Sequence, residues 1–452
     1  MPDDDTPTEG RTNVGVREIL GNRSAVALLV AMTCATMAST AQFTALGKFV
    51  FDSTRRPLDL GLIGLAEFLP AAVLVVVSGA VADRFDRRRV AATAFLGEAL
   101  VVLVLALLAA RTLDGIALVL CVVVAFGIFR ALGAPSGRAL PAMVVGPESV
   151  PRMMAFFAGS WQVGLIAGPV LGGFLYLISP SAPFVAASGL LVVAGLLLLT
   201  LRYHPEADLR TDDPVASAGG RQGLRHALEG LRFVRRTPIL LGAISLDLFA
   251  VLFGGAVALL PAIATDQLDV GSVGLGWLRA AGGIGAALTT AFLAARPLRR
   301  HVGRKLFAAV AVFGAATVAL WMTRTYVVAL LAVLVLSAAD SVSVFIRVSI
   351  IPLVTPNEVR GRVFAVENVF IGASNELGGF ESGLAAALIG VPGAVVLGGV
   401  ATMVVVGLWS WWFPALRDVD HFDDLGGTPL PVGTTVEAAT AIEADRQEGN
   451  PL

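Results

Sequence analysis

The sequence predicts an all-α integral membrane protein of twelve transmembrane helices. Of the 452 residues, 56% are hydrophobic and only 15% are charged, and the mean hydropathy is +0.80. A soluble chain carries about 25% charged residues, so water is not the main solvent of this one. The apolar residues also fall in blocks of roughly 20 to 28, long enough to cross a hydrocarbon core of about 30 Å as helices. Lipid offers no partner to open backbone groups, which selects helices for such blocks.

Taken in order, residues 1–20 are polar, with Asp3, Asp4 and Asp5 ahead of any apolar run. They are expected to be a disordered cytoplasmic tail, not a cleavable signal peptide. Six blocks follow within 21–202, at 24–50, 58–82, 90–110, 115–145, 153–178 and 182–201. Residues 203–237 mix acidic, basic, Gly and Ser residues, then place Leu224, Leu228, Leu231 and Val234 at helical spacing beside Arg225, Arg232, Arg235 and Arg236. That pattern predicts a cytoplasmic linker ending in a basic surface helix that touches anionic headgroups. Six more blocks lie within 238–416, at 238–264, 273–295, 306–322, 327–354, 363–389 and 391–416. Residues 417–452 are acidic or Gly/Pro/Thr-rich and are expected to form a second disordered cytoplasmic tail.

The six-plus-six division invites a comparison of the halves. A shift of 210 residues superposes Arg152 on Arg362, Ala155 on Ala365, Gly168 on Gly378 and Gly173 on Gly383. Such matches fit two pseudo-symmetric six-helix bundles around a central cavity. The basic residues set the orientation. With both termini cytoplasmic, 25 of the 33 fall in cytoplasmic segments, and only Arg55, Arg56, Arg111 and Arg324 fall outside. The positive-inside rule selects that topology. Lys48, Arg130, Arg279 and Arg347 remain within spans or near their ends.

After the second block the sequence runs Gly79-Ala-Val-Ala-Asp83-Arg84-Phe-Asp86-Arg87-Arg88. This resembles the cytoplasmic signature G-x-x-x-D-R-x-G-R-[RK] of the major facilitator superfamily. Gly79, Asp83, Arg84, Arg87 and Arg88 match, whereas Asp86 stands where glycine is usual. The resemblance implies the major facilitator fold and gives Asp83 and Arg87 a gating role, in contacts that hold one face closed. The alternative is a basic turn that serves topology alone. A 213-residue shift places Arg296 opposite Asp83, so the second half lacks that acid.

The fifth block contains Gly164-Leu-Ile-Ala-Gly168-Pro169-Val-Leu-Gly172-Gly173. It is similar to the antiporter motif G-x-x-x-G-P-x-x-G-G of drug-proton exchangers in that superfamily, which implies export. Glycines that let helices approach closely, with a proline that permits a bend, are the structural alternative. Thr355-Pro-Asn-Glu-Val-Arg360-Gly-Arg362, Phe370-Ile-Gly-Ala-Ser-Asn-Glu-Leu-Gly and Asp247 in Leu246-Asp-Leu-Phe-Ala resemble the branch of bacterial enterobactin exporters and related multidrug efflux proteins. That branch implies export of a catechol siderophore or an amphipathic drug, coupled to protons.

Charges inside a membrane are costly and face a cavity or a partner. Arg130 resembles the superfamily arginine linked with proton transfer. Its alternative is a buried arginine bonded to carbonyls or paired with Glu98. Asp340 and Arg347, seven residues apart, share a helix face with Ser337 but stand about 10 Å apart along the axis. On the eleventh block Glu367, Ser374, Gly378 and Glu381 share one face, flanked by Asn368, Asn375 and Ser382, with Glu376 opposite. That stripe is expected to line water or substrate, or else to bond between helices. Glu67, Glu98, Asp247, Asp340, Glu367 and Glu381 are the candidate proton carriers. Asp247 with Arg130 is the first exchange pair expected, and Asp340 with Arg347 the second.

Other function classes find little support. His204, His226, His301 and His421 all fall outside the apolar blocks, and Cys34 and Cys121 lie far apart, so no metal site or cofactor and no catalytic residue are expected. The phosphate-loop pattern G-x-x-x-x-G-K-[ST] is absent from the sequence. The expected partners are a small-molecule substrate, protons and membrane lipid, without nucleic acid, and the expected form is a monomer in the bacterial cytoplasmic membrane. A lipid or lysolipid flippase of the same fold is the alternative, followed by a non-transporting sensor.

Overall fold

The computed structural model describes residues 19–111, 115–204 and 220–425. Among these, every regular element is a helix. The first six spans are α1 (Arg23–Thr54), α2 (Pro57–Arg84), α3 (Arg87–Ala109), α4 (Ala117–Ala139), α5 (Val150–Tyr176) and α6 (Ala182–Leu199). A connecting helix, α7 (Gly220–Arg236), precedes α8 (Pro238–Phe253), α9 (Gly271–Ala295), α10 (Val302–Met322), α11 (Tyr326–Val354) and α12 (Asn357–Trp412).

Eleven helices among the described residues are long and apolar enough to cross a membrane. The last of them has 56 residues, about 84 Å at 1.5 Å per residue, nearly three times a hydrocarbon core of about 30 Å. It reverses at Gly390, whose φ of 79° is left-handed and leads into Pro392. The packing against α8 shows the reversal. The first arm, 357–389, follows α8 in parallel, with Gly378 against Val251 and Ser382 facing Gly255. In the second arm, 391–412, Thr402 donates to the carbonyl of Ala250 and Trp409 donates to Ser245, so the order runs backwards. Twelve crossings result.

Small details set the ends of these helices. Asn22 caps α1 by accepting from the N–H groups of Ser24 and Ala25, at 2.9 and 3.2 Å. The seventh crossing, expected to be continuous over 238–264, instead breaks at Gly254 and continues through 3-10 and π turns to Gln267. Gly254 and Gly255 are the cause. A Cβ at Gly255 would lie 2.3 Å from the carbonyl oxygen of Gly378, so the backbone unwinds to meet α12. Irregular backbone at this depth is tolerated where it borders a cavity.

Two apolar cores form, one from residues 19–201 and one from residues 234–425. A third cluster joins the halves, with Phe51 and Leu60 packed among Leu259, Leu260, Ile263, Leu275 and Leu278. It lies at the end of the bundle opposite α7, called here the far face. Two glycine-rich seams run down from it. On one, α5 meets α9, with Gly173 on Ser272 and Gly276, and Gln162 donating to the carbonyl of Gly283 at 2.7 Å. On the other, α2 meets α12, with Gly61 on Phe380 and Gly383 on Gly61 and Pro57. Both seams occupy the far-face ends of their helices. Towards the α7 side the same helices present exposed Leu69, Val73 and Val77 on α2, Leu288 and Phe292 on α9, and Val369 on α12.

The far face carries polar closures as well. Lys48 donates to Asp52 at 2.6 Å and to Thr265 at 3.3 Å, and Arg55 pairs with Asp266 at 3.1 Å. At the other end α7 docks on the start of α12, where Arg362 pairs with Glu229 at 2.6 Å, Gly230 meets the Arg362 backbone and Val234 is buried. Leu228 is exposed on the same helix, while the side chains of Leu224 and Arg225 lie outside the described residues.

Candidate functional site

Two charge clusters within the spans flank one cavity, the second of them buried and the first partly open at Arg130. In the first half, Gly127 allows α4 to seat on α2, since a Cβ there would lie 2.5 Å from the carbonyl oxygen of Glu67. One turn further along, Arg130 forms an ion pair with Glu67. Glu98 is buried on α3 and acts electrostatically on Arg130, as does Glu376, which arrives from α12 across the gap between the halves. In the second half, Arg347 on α11 is 2% exposed and bridges Asp247 on α8 at 2.9 Å and Glu367 on α12 at 3.3 Å. Asp340 lines a small pocket together with Asp247. Each cluster thus sets three acids around one arginine.

These contacts replace the pairing of Asp247 with Arg130. Each arginine is ion-paired within its own bundle, although the Nε of Arg347 is buried without a partner, and Asp340 forms no ion pair with Arg347 among the described residues. A helical wheel gives faces of one helix, not the neighbour each face meets. That limit also explains α12. Ser374 is buried and donates back to the carbonyl of Ile371, Gly378 packs on Val251 and Leu252, and Glu367 turns to Arg347, so this face is a helix-packing face. The cavity takes the adjoining side, Asn375, Glu376 and Gly379. Small residues on the first face are what draw α8 close, which rotates Glu376 inward. Glu381 is half-buried beyond the cavity, beside Ser382.

The cavity itself measures about 290 Å³ and is bordered by α1, α2, α8, α9, α10, α11 and α12. Phe43, Leu60, Ile63, Phe313 and Leu336 form its apolar wall; Ser337, Asp340, Asn375, Glu376 and Arg279 form the polar one. Arg279 was not singled out as a site residue by sequence reasoning, although α9 contains no acid to pair with it. That mismatch was the available signal. No group of three or more His, Cys, Asp or Glu with metal-binding proximity occurs among the described residues.

The glycines of the fifth span do two jobs. Gly164, Gly168 and Gly172 follow one another at helical spacing against α1, and a Cβ at Gly168 would stand 1.9 Å from Thr40 Oγ1. Gly173 and Pro169 instead face α9 of the other half. Their counterparts under the 210-residue shift behave alike: Gly378 meets α8, the first span of its own half, and Gly383 meets α2, the second span of the opposite half. We expect Gly168→Val to cost about 1–3 kcal/mol through overpacking. Thermal unfolding in detergent checks this against Gly159→Ala, where a Cβ meets nothing within 4 Å and no loss is expected.

In the loop between α2 and α3, the side chain of Asp83 lies outside the described residues. Arg84 is exposed, Arg87 is partly buried, and a Cβ at Gly79 meets nothing within 4 Å. Arg88 donates to the carbonyl of Leu201 at 2.6 Å and pairs with Asp86 at 3.2 Å, anchoring the loop to the end of α6. Asp86, the departure from the glycine of the signature, is the N-cap of α3, accepting from the Arg88 N–H at 2.9 Å and from the Tyr203 hydroxyl at 2.6 Å. Burial opposes its charge, but these bonds and the Arg88 guanidinium hold its carboxyl below the ordinary range. Burial first, and then the bond to Asp86, push the Tyr203 hydroxyl up to about 12.

A helical bundle of twelve crossings, two halves closed at one end, and one cavity between two charge clusters define a multi-pass membrane carrier. Residues 28–344 match the Major Facilitator Superfamily, and the chain belongs to that family. It is a transporter, not an enzyme. It is 26% identical over 388 residues to the multidrug efflux pump Tap of Mycolicibacterium fortuitum, a similarity that covers 80% of this chain and 89% of that one. To the class C tetracycline resistance protein of Escherichia coli it is 32% identical over 171 residues, or 36% of this chain and 41% of that protein, so the match spans less than half of that relative. Among solved structures, a bacterial homologue of the human lysosomal transporter Spinster, in an inward-facing and occupied conformation, aligns with a TM-score of 0.68 at 14% identity, covering 94% of this chain and all of that one. A D-xylose-proton symporter aligns with a TM-score of 0.61, also at 14% identity, covering 87% and 98% of the two chains. At such identity the likeness shows the shared fold.

Proposed function

We propose that this chain is a secondary active exporter that carries a small amphipathic molecule, a drug or an enterobactin-like catechol, out across the bacterial cytoplasmic membrane in exchange for protons. Both tails and the α7 side face the cytoplasm in this reading, which the distribution of Lys and Arg supports. The seams then close the outer face, and the conformation is open inward, one state of an alternating-access cycle.

The observation that carries the reading is the cavity wall, which holds one acid from each charge cluster, Glu376 from the first and Asp340 from the second. An excess of acids over guanidinium gives each cluster a place for a proton, because like charges in a low dielectric disfavour full ionisation. Cargo and proton therefore meet at the same walls. The volume of about 290 Å³ sits at the small end of the roughly 300–1,000 Å³ of drug-sized sites, which favours a compact cargo over a lipid with acyl chains. The efflux relatives support the outward direction.

Vesicles containing the purified protein, with an imposed pH gradient, test this directly. Tetracycline, whose enolate carries adjacent oxygens, is expected to accumulate against its own gradient only when the proton gradient is present, and to drive a measurable proton flux. Accumulation that ignores the pH gradient, or proton flux without cargo dependence, would remove the exchange mechanism.

A further inference from the structure

The charges lining the cavity are not all accounted for by the two clusters. Arg279 projects from α9 to the cavity, where its guanidinium lies 4.6 Å from the centre of the Phe43 ring. A guanidinium has five donors. Among the described residues none of those of Arg279 meets a hydrogen-bond acceptor or a carboxylate, and its Nε is fully buried without a partner. Its Nη2 reaches α1 beside Gly47, where an added Cβ would stand 3.5 Å away, an ordinary contact distance. Glu376 and Asp340 stand in the same cavity, yet neither pairs with Arg279 within 4.0 Å.

A permanently charged group left without an acceptor in an apolar site is costly, and both neighbouring arginines avoid that cost with two or more acids. We propose that Arg279 is the anion-recognition residue of the cavity and that the cargo is an amphipathic organic anion with two adjacent oxygens, of the carboxylate, enolate or catecholate kind. The inference rests on the reading of this cavity as the cargo site. Phe43 holds the guanidinium plane by cation–π contact, so its fork is oriented before cargo arrives and receives paired oxygens bidentately. The apolar wall of Leu60, Phe313 and Leu336 takes the hydrocarbon body. The acids remain free of the cargo's negative charge and available to protons.

Calorimetry on the purified full-length protein in nanodiscs, with 1-naphthoate and its uncharged analogue 1-naphthamide as probes, tests the assignment. The wild type is expected to bind the carboxylate about 10- to 100-fold more tightly than the amide, the range of a hydrogen-bonded charge pair. Arg279→Gln is expected to abolish that preference, and Arg279→Lys to restore only part of it, because a point charge lacks the planar fork. If Arg279→Gln does not fold, the wild-type preference and its reduction in Arg279→Lys decide the matter. Equal binding of the two probes by the wild type, or a preference unchanged in either variant, overturns the proposal. Export of labelled 1-naphthoate from vesicles is measured alongside: discrimination without export retains the role of Arg279 and removes the export reading, whereas export without discrimination does the reverse.

Discussion

Arg347→Met is expected to strip folded protein from the membrane. The substitution leaves Asp247 and Glu367 facing each other across a site where both are buried, 7% and 3% exposed in their side chains, with no cation between them. Removing one partner of a buried ion pair costs about 3–5 kcal/mol, a large share of the roughly 5–15 kcal/mol that holds a folded domain. The companion variant makes the cause visible. Arg347→Met together with Asp247→Leu and Glu367→Leu is expected to recover abundance, because an apolar replacement of the whole cluster restores packing without an orphaned charge. Size-exclusion profiles of detergent-extracted protein are the measurement. A monodisperse Arg347→Met peak at wild-type abundance would show that the cluster does not support the fold.

The second large effect is expected at Glu376. It is the acid that touches the cavity while acting on Arg130 and Glu67 from the opposite half, so it is the natural relay between cargo and the first cluster. Glu376→Gln keeps size and hydrogen-bonding capacity but cannot release a proton. Uphill efflux in vesicles is expected to fall to background, while exchange of labelled for unlabelled cargo persists, since exchange needs no net proton movement. Asp340→Asn is the parallel variant for the second cluster, and the one that loses coupling identifies which cluster carries the proton. If both variants, and amides at Glu67, Glu98, Asp247, Glu367 and Glu381, pump normally, proton exchange is not the mechanism.

Much of the architecture was legible because its causes are local. Span length and the glycine spacing on α5 follow from properties of one segment at a time, and the observed helices and their packing agree with them. The site was harder to see. Sequence places Glu367 and Ser374 on one face correctly, but which face looks into the cavity is decided by Gly378 and Gly255, residues 123 positions apart that meet only in the fold. The partners of Arg130 and Arg347 depend likewise on how α2, α8 and α12 seat against their neighbours. Arg279 is defined by what does not approach it, which no single segment records. The break after Phe253 was hidden in an unbroken apolar run, where only the paired glycines hinted at it.

The far-face closure bears on how the proposed transport cycle would open it. Its two seams are largely glycine backbone against backbone, but Phe51 and Leu60 of the first half also pack among Leu259, Leu260 and Ile263 of the second, so parting the far face uncovers an apolar cluster. The Arg55–Asp266 bridge that completes it is more than half exposed on both sides, and such pairs are worth about 0–1 kcal/mol. The cost of opening is therefore set by the exposure of that apolar cluster, with the bridge a minor part of it. In the proposed exchange cycle, a charge bound in the cavity has to favour the outward-open state by enough to offset that exposure.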